Sequence, residues 1–76
     1  MNISGVVVRT YPENIESVTQ KLTDFEGVEV HGSNSDGRMV VTIEQETVGE
    51  ISDLLALMHD VPGVLSASMI YHQFED

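Results

Sequence analysis

The chain contains the same kind of short helix-to-strand junction twice, and this internal repeat limits its fold more than any other feature. Residues 25–28 read FEGV and residues 61–64 read VPGV, and each set lies between a helix-like and a strand-like segment. Glycine commonly follows the end of a helix, and a β-branched residue favours the strand that comes next. The sequence therefore predicts a strand–helix–strand unit that occurs twice.

Six segments fill these two units. Strands are predicted over residues 3–9, 28–31, 39–44 and 64–72, with a hairpin loop over residues 32–37. Helix one is predicted from Pro12 to about Phe25 or Glu26, because apolar residues recur there at steps of three and four. Helix two follows Thr47, which has capping-box spacing to Glu50: the hydroxyl and the carboxylate would each accept from the other residue's backbone N–H.

Two right-handed strand–helix–strand units can interleave into one antiparallel sheet with both helices on the same face. We therefore predict a ferredoxin-like βαββαβ plait of the α+β class. It would have a four-stranded antiparallel sheet, two helices on one face, and the second and fourth strands at the edges. One such domain would account for residues 1–76.

Alternation along the strands predicts which face of the sheet each side chain occupies. The face toward the helices is predicted to hold Val6, Val8, Val28, Val30, Met39, Val41, Ile43, Leu65, Ala67, Met69 and Tyr71. The opposite, open face is predicted to hold Ile3, Gly5, Val7, Arg9, Glu29, His31, Arg38, Val40, Thr42, Glu44, Ser66, Ser68, Ile70 and His72.

The predicted open face is neither cleanly polar nor cleanly apolar. Val7, Val40 and Ile70 would lie near its centre, and small residues such as Gly5 would leave room around them. Carboxylates would lie at its rim or ends, at Glu29, Glu44 and residues 75–76. An apolar strip flanked by carboxylates suits an amphipathic, basic peptide. Alternatively, the exposed β-branched residues reflect strand propensity alone.

Acidic residues dominate the charge, with 13 Asp and Glu against 3 Lys and Arg, for a net charge of -10. Nucleic acid and anionic membrane surfaces would be repelled, whereas a basic partner would be attracted. The acidity also has a simpler explanation, since it keeps a protein soluble. We see neither a secretory signal pattern nor an apolar stretch of about 18–20 residues, and we expect a cytoplasmic protein without membrane insertion.

We expect no enzyme, no metal site and no cofactor. Cysteine is absent, and His31, His59 and His72 lack metal-ligand spacing among themselves. The glycines form no phosphate-binding loop. Acidic pairs such as Glu44 and Glu46 are more often solvated surfaces than acid/base dyads.

Four runs carry a resemblance to a known family: ISGVVVR, DFEGVEVH, GRMVVTIE and, most specifically, VPGVLSASMIYHQFED. With these runs, nearly the whole chain resembles the NapD-type chaperones, small cytoplasmic partners in the assembly of periplasmic nitrate reductase. The resemblance implies the same plait. It also implies binding of the twin-arginine signal peptide of the catalytic subunit precursor, which holds back export until cofactor insertion and folding are complete. The bound segment is thought to be helical and to lie against the sheet.

Transferred by position, this implied contact surface consists of Val7, Arg9, Val40, Thr42, Ser68, Ile70 and His72.

Three alternatives share the predicted plait. The main one is a small-molecule-binding regulatory domain of the ACT or Lrp-ligand type, although the chain lacks a glycine-rich turn after strand one. The others are a small enzyme and a subunit whose open sheet pairs with a second copy of itself.

Overall fold

Four strands and two helices follow one another in the predicted order in the computed structural model, which describes residues 1–74. A single 3-10 turn, Pro12–Asn14, leads into the first helix. The elements are β1 (Asn2–Thr10), α1 (Ile15–Thr23), β2 (Val28–Ser33), β3 (Arg38–Gln45), α2 (Val48–His59) and β4 (Val64–Phe74).

The strands form one antiparallel sheet in the order β2-β3-β1-β4, so β2 and β4 are its edges, as predicted. The β-branched run of β1 lies between β3 and β4 because its side chains can be buried on the pleated surface. This arrangement confirms the ferredoxin-like α+β fold.

The core lies between one face of the sheet and the two helices. Eleven apolar side chains within residues 1–74 are buried there, and each of them except Ala67 contributes roughly 1.5–3 kcal/mol of hydrophobic stabilisation. Alternate positions of β1 and β3 face Val18 and Leu22 of α1 and Ile51 and Met58 of α2. The helices therefore cover a single face, and the described residues leave the other face uncovered.

Helix α1 ends at Thr23, which is earlier than the predicted Phe25 or Glu26. The backbone N–H of Phe25 still donates to the Leu22 carbonyl at 3.1 Å, so the last turn tightens before the chain leaves the helix. Gly27 then adopts φ +83, and its carbonyl accepts from the Glu44 N–H of β3. The early end lets this glycine turn the chain directly onto the sheet.

The predicted capping box at the start of α2 forms in a modified way. The backbone N–H of Glu50 donates to the Thr47 hydroxyl at 3.1 Å, as expected. The Glu50 carboxylate, however, accepts from that hydroxyl at 3.0 Å rather than from the Thr47 backbone N–H. The predicted hairpin loop is also shorter than expected, because β2 continues through Ser33. The Asn34 side chain then accepts from two backbone N–H groups of the turn.

Strand β4 departs from regular alternation at two places. Its pairing with β1 shifts once between Gly5 and Val6, where Ile70 has no direct partner, and once between Arg9 and Thr10, where Leu65 has none. An unpaired extra residue in one strand is a β-bulge, and it exchanges the faces of the residues that follow.

The first bulge overturns two predicted face assignments. Tyr71 lies opposite Gly5 and His72 lies opposite Ser4, so Tyr71 belongs to the open face and His72 to the helix side. The prediction for Leu65 is also wrong, since Leu65 is 57% exposed and Val64 packs against the core instead. Each error comes from assuming that alternation continues through a bulge.

Candidate peptide-binding surface

Residues of adjacent strands form rows across the open face, by which we mean the side of the sheet away from the helices. Directly paired residues in an antiparallel sheet share a face, so the register defines these rows. From β3 through β1 to β4, the rows are Glu44–Ile3–Gln73, Thr42–Gly5–Tyr71, Val40–Val7–Ser68 and Arg38–Arg9–Ser66.

An apolar strip occupies the middle of this face. Val7 of β1 is half-buried beside Val40 of β3, which is 49% exposed. Ile70 is 57% exposed at the bulge, in the part of β4 between Ser68 and Tyr71, two residues of this face. The structure therefore brings together five of the seven predicted contact residues on consecutive rows, Val7, Arg9, Val40, Thr42 and Ser68, and exposes a sixth, Ile70, at the adjacent bulge.

Tyr71 belongs to this surface although the sequence reasoning placed it in the core. Its ring covers Gly5 so closely that a Cβ on Gly5 would collide with it. The predicted open space at Gly5 is therefore filled, which explains why Gly5 itself is buried. A glycine in the middle of a β-branched strand was the available signal, because such a glycine often marks close approach by another group.

His72 lies on the helix side and does not join the rows of the open face. Its Nδ1 lies 2.7 Å from the hydroxyl of buried Ser4, and its Nε2 lies 3.2 Å from Oδ1 of Asn2. Asn2 donates through Nδ2 to the Glu46 carbonyl, which leaves Oδ1 as an acceptor for a proton on His72 Nε2. In the tautomer that carries its proton on Nε2, Nδ1 accepts from the Ser4 hydroxyl. His72 thus ties β4 to β1, and its predicted place on the binding face is wrong.

Thr42 is held by a polar contact with the edge strand. Its hydroxyl lies 2.7 Å from Nε2 of His31, the residue at the irregular position of β2. The same His31 nitrogen lies 3.8 Å from a carboxylate oxygen of Glu29. These contacts fix the margin of the apolar strip on the β2 side.

Charges of opposite sign lie at opposite ends of the open face. Arg9 and Arg38 face each other at one end, and Glu29 and Glu44 lie toward the other. Beyond the carboxylate end is a cleft of about 620 Å³ whose lining includes these two glutamates together with Glu26, Glu46 and Phe25. Residues 75 and 76, also predicted at the rim, lie outside the described residues.

Among the described residues, no three His, Asp or Glu side chains meet in a group that could hold a metal ion. No helix within residues 1–74 is long and apolar enough to cross a membrane.

The fold and this surface define the class: a small ferredoxin-like α+β domain whose sheet exposes an apolar strip between two charged ends. The family model for the NapD protein matches residues 1–76. Chaperone NapD of Escherichia coli K12 is 31% identical over 75 residues, which cover 97% of this chain and 86% of that protein, and chaperone NapD of Shigella flexneri shows the same values. The chain belongs to the NapD family of chaperones, as its sequence resemblance indicated.

Solved structures agree with this assignment. The solution structure of the E. coli Tat proofreading chaperone protein NapD matches with a TM-score of 0.86 and 31% identity, over 97% of this chain and 79% of that one. The crystal structure of hypothetical protein PHS023 from Pyrococcus horikoshii matches with a TM-score of 0.85 at 14% identity, over 100% and 93% of the two chains. The second similarity shows the fold alone.

Proposed function

We propose that this chain is a cytoplasmic chaperone that binds the twin-arginine signal peptide of the periplasmic nitrate reductase catalytic subunit precursor on its open sheet face. Binding would hold the precursor back from export until cofactor insertion and folding are complete. Membership of the NapD family supports the proposal, as does the description of its E. coli relative as a Tat proofreading chaperone.

The observation that carries this proposal is the uncovered apolar strip of Val7, Val40 and Ile70 on a protein with a net charge of -10. A twin-arginine leader combines two guanidinium groups with a following apolar segment. The apolar segment can bury the exposed parts of Val40 and Ile70, and the guanidinium groups can pair with carboxylates. The open face therefore offers apolar side chains for the apolar segment of the leader and carboxylates for its guanidinium groups.

Affinity and association rate would depend on different parts of this face. Apolar anchors near the centre of an interface usually carry most of the binding free energy, whereas charges at the rim mainly control encounter. We therefore assign the affinity chiefly to the apolar strip and the salt-dependent association rate to the carboxylates.

The substitution Ile70→Glu tests this assignment. It places a charge in the apolar strip, and we expect it to weaken binding of the nitrate reductase leader by at least about tenfold, or 1.4 kcal/mol. Ile70 is 57% exposed, so the fold should remain intact. Isothermal titration calorimetry measures the affinity, and circular dichroism checks the fold.

Leu57→Glu is the matched control, because Leu57 lies in α2 on the helix side and is 51% exposed. It adds the same charge and removes a similar apolar side chain without touching the open face. Equal losses in both variants, or unchanged affinity in Ile70→Glu, would remove the open face from the proposal. Failure of the unmodified protein to bind any twin-arginine leader would contradict the function itself.

A further inference from the structure

We propose that the leader binds the open face in one direction only, an inference that rests on the function proposed above. The arginine pair lies at the end marked by Glu29 and Glu44. The C-terminal end of the apolar segment that follows the arginine pair lies at the other side of the open face, near Arg9 and Arg38. The asymmetry of charge along the strands, rather than the apolar strip itself, determines this direction.

The carboxylate end offers a concentrated negative field to a cationic segment. Glu29, Glu44, Glu26 and Glu46 line the same cleft, and all four residues are exposed. The Glu29 side chain is 76% exposed, and its described ion-pair contact is with a histidine at 3.8 Å. Carboxylates in this state can still accept bidentate hydrogen bonds from an incoming guanidinium group.

The opposite end carries two guanidinium groups, and one carboxylate, that of Asp36, lines the same cleft as Arg9. Arg9 and Arg38 are directly paired across β1 and β3, although like charges in this arrangement destabilise a sheet. Neither side chain forms an ion pair with any residue in the part of the chain that the structure describes. They are two of only three Lys and Arg residues in the whole sequence. With two guanidinium groups and one nearby carboxylate, this end of the face is less favourable for an arginine pair than the carboxylate end.

The distance between the two ends matches a short helix. The row of Ile3 and Glu44 and the row of Arg9 and Arg38 are six positions apart along β1, which corresponds to about 20 Å. An α-helix covers that distance with about 13 residues. An arginine pair at one end and most of an apolar segment along the strip can therefore contact both charged ends at once.

If the leader binds as a helix, its dipole gives a second electrostatic contribution that favours the same direction of binding. The N-terminus of a helix carries partial positive charge, and its C-terminus carries partial negative charge. In the proposed direction, the helix N-terminus and the arginine pair both face carboxylates, and the C-terminal carbonyls face Arg9 and Arg38. The reverse direction would make both contributions unfavourable.

The direction can be measured with a paramagnetic label at either end of the leader peptide. The protein has no cysteine, so a thiol-reactive label attaches only to a cysteine placed in the peptide. With ¹⁵N-labelled protein, we expect a label before the arginine pair to broaden the amides of Glu29 and Glu44. A label after the apolar segment should broaden those of Arg9 and Arg38.

The possible outcomes separate this inference from the proposed function. Exchanged broadening patterns, or equal broadening at both ends with either label, would overturn the single direction while leaving leader binding in place. An absence of binding would overturn both proposals.

Paired substitutions provide an independent test. In the double variant Glu29→Gln/Glu44→Gln, we expect about three- to tenfold weaker binding of the leader at low salt, and less than about twofold loss for a leader whose arginine pair is replaced by glutamine. Glu13→Gln/Glu16→Gln, which changes the net charge equally outside the sheet, is the control. Equal losses with both leaders would contradict contact between the arginine pair and this end.

Discussion

At the scale of single residues, Gly5 and Tyr71 depend on each other. Tyr71 can lie across the open face because Gly5, directly opposite on β1, has no side chain to displace its ring. Glycine normally weakens a strand interior by roughly 0.5–1 kcal/mol relative to alanine. At this position, the ring covering Gly5 offsets that loss.

Because of this dependence, we expect the effect of Gly5→Ala on the free energy of unfolding to change sign when Tyr71 is also replaced. In the unmodified protein, Gly5→Ala should reduce the free energy of unfolding by about 1 kcal/mol, because the new methyl group displaces the ring. In a Tyr71→Ala background, the same substitution should be neutral or stabilising by up to about 1 kcal/mol, because no ring remains to be displaced. Urea denaturation measures all four proteins, and additive effects would contradict the contact.

The sequence allowed most, but not all, of this surface to be predicted. Val7 and Val40 reach the open face because they alternate with buried residues of the same strands. Tyr71 and His72 could not be placed, because the bulge at Ile70 leaves no mark in the pattern of apolar residues. The prediction therefore put Tyr71, an aromatic residue of the open face, in the core, and it put His72, which connects β1 and β4, on the open face.

At the scale of elements, turn and capping residues made the strand and helix order predictable. The glycines of FEGV and VPGV both adopt positive φ, +83 at Gly27 and +98 at Gly63. The end of α1 was less predictable, because Phe25 continues the apolar spacing and still packs against the core after the helix has ended. The spacing of apolar residues indicates which side chains are buried. A residue that follows the last helical residue can still be buried, so the spacing does not locate the end of the helix.

The cap of α2 allows a prediction that separates stability from binding. Thr47→Ala removes the acceptor of the Glu50 N–H and should reduce the free energy of unfolding by about 1 kcal/mol. Thr47→Ser keeps a hydroxyl and should lose much less. Leader affinity measured by calorimetry should stay unchanged in both variants, because α2 packs on the other side of the sheet. A stable Thr47→Ala variant, or one with weakened binding, would contradict this separation.

At the scale of the whole molecule, the net charge of -10 should govern how fast a basic leader arrives. Screening shortens the reach of these charges to about 10 Å at 0.1 M salt and about 3 Å at 1 M. We expect the association rate constant to fall about tenfold or more between 0.05 and 0.5 M salt, with a much smaller change in dissociation.

Stopped-flow fluorescence with a labelled leader measures both rate constants. A leader whose arginine pair is replaced by glutamine is the control and should show a weaker salt dependence. A salt effect confined to dissociation would assign the charges to holding the bound peptide rather than to attracting it.

The pairing of β1 with β4 has a consequence for folding. It joins Asn2 to Phe74 and Val7 to Ser68, so one side of the open face depends on contacts between residues about 60 to 70 positions apart. Closing such large loops is entropically costly and slow compared with forming a helix or hairpin. Because this pairing completes the open face, the capacity to hold a leader should appear only when the whole sheet folds.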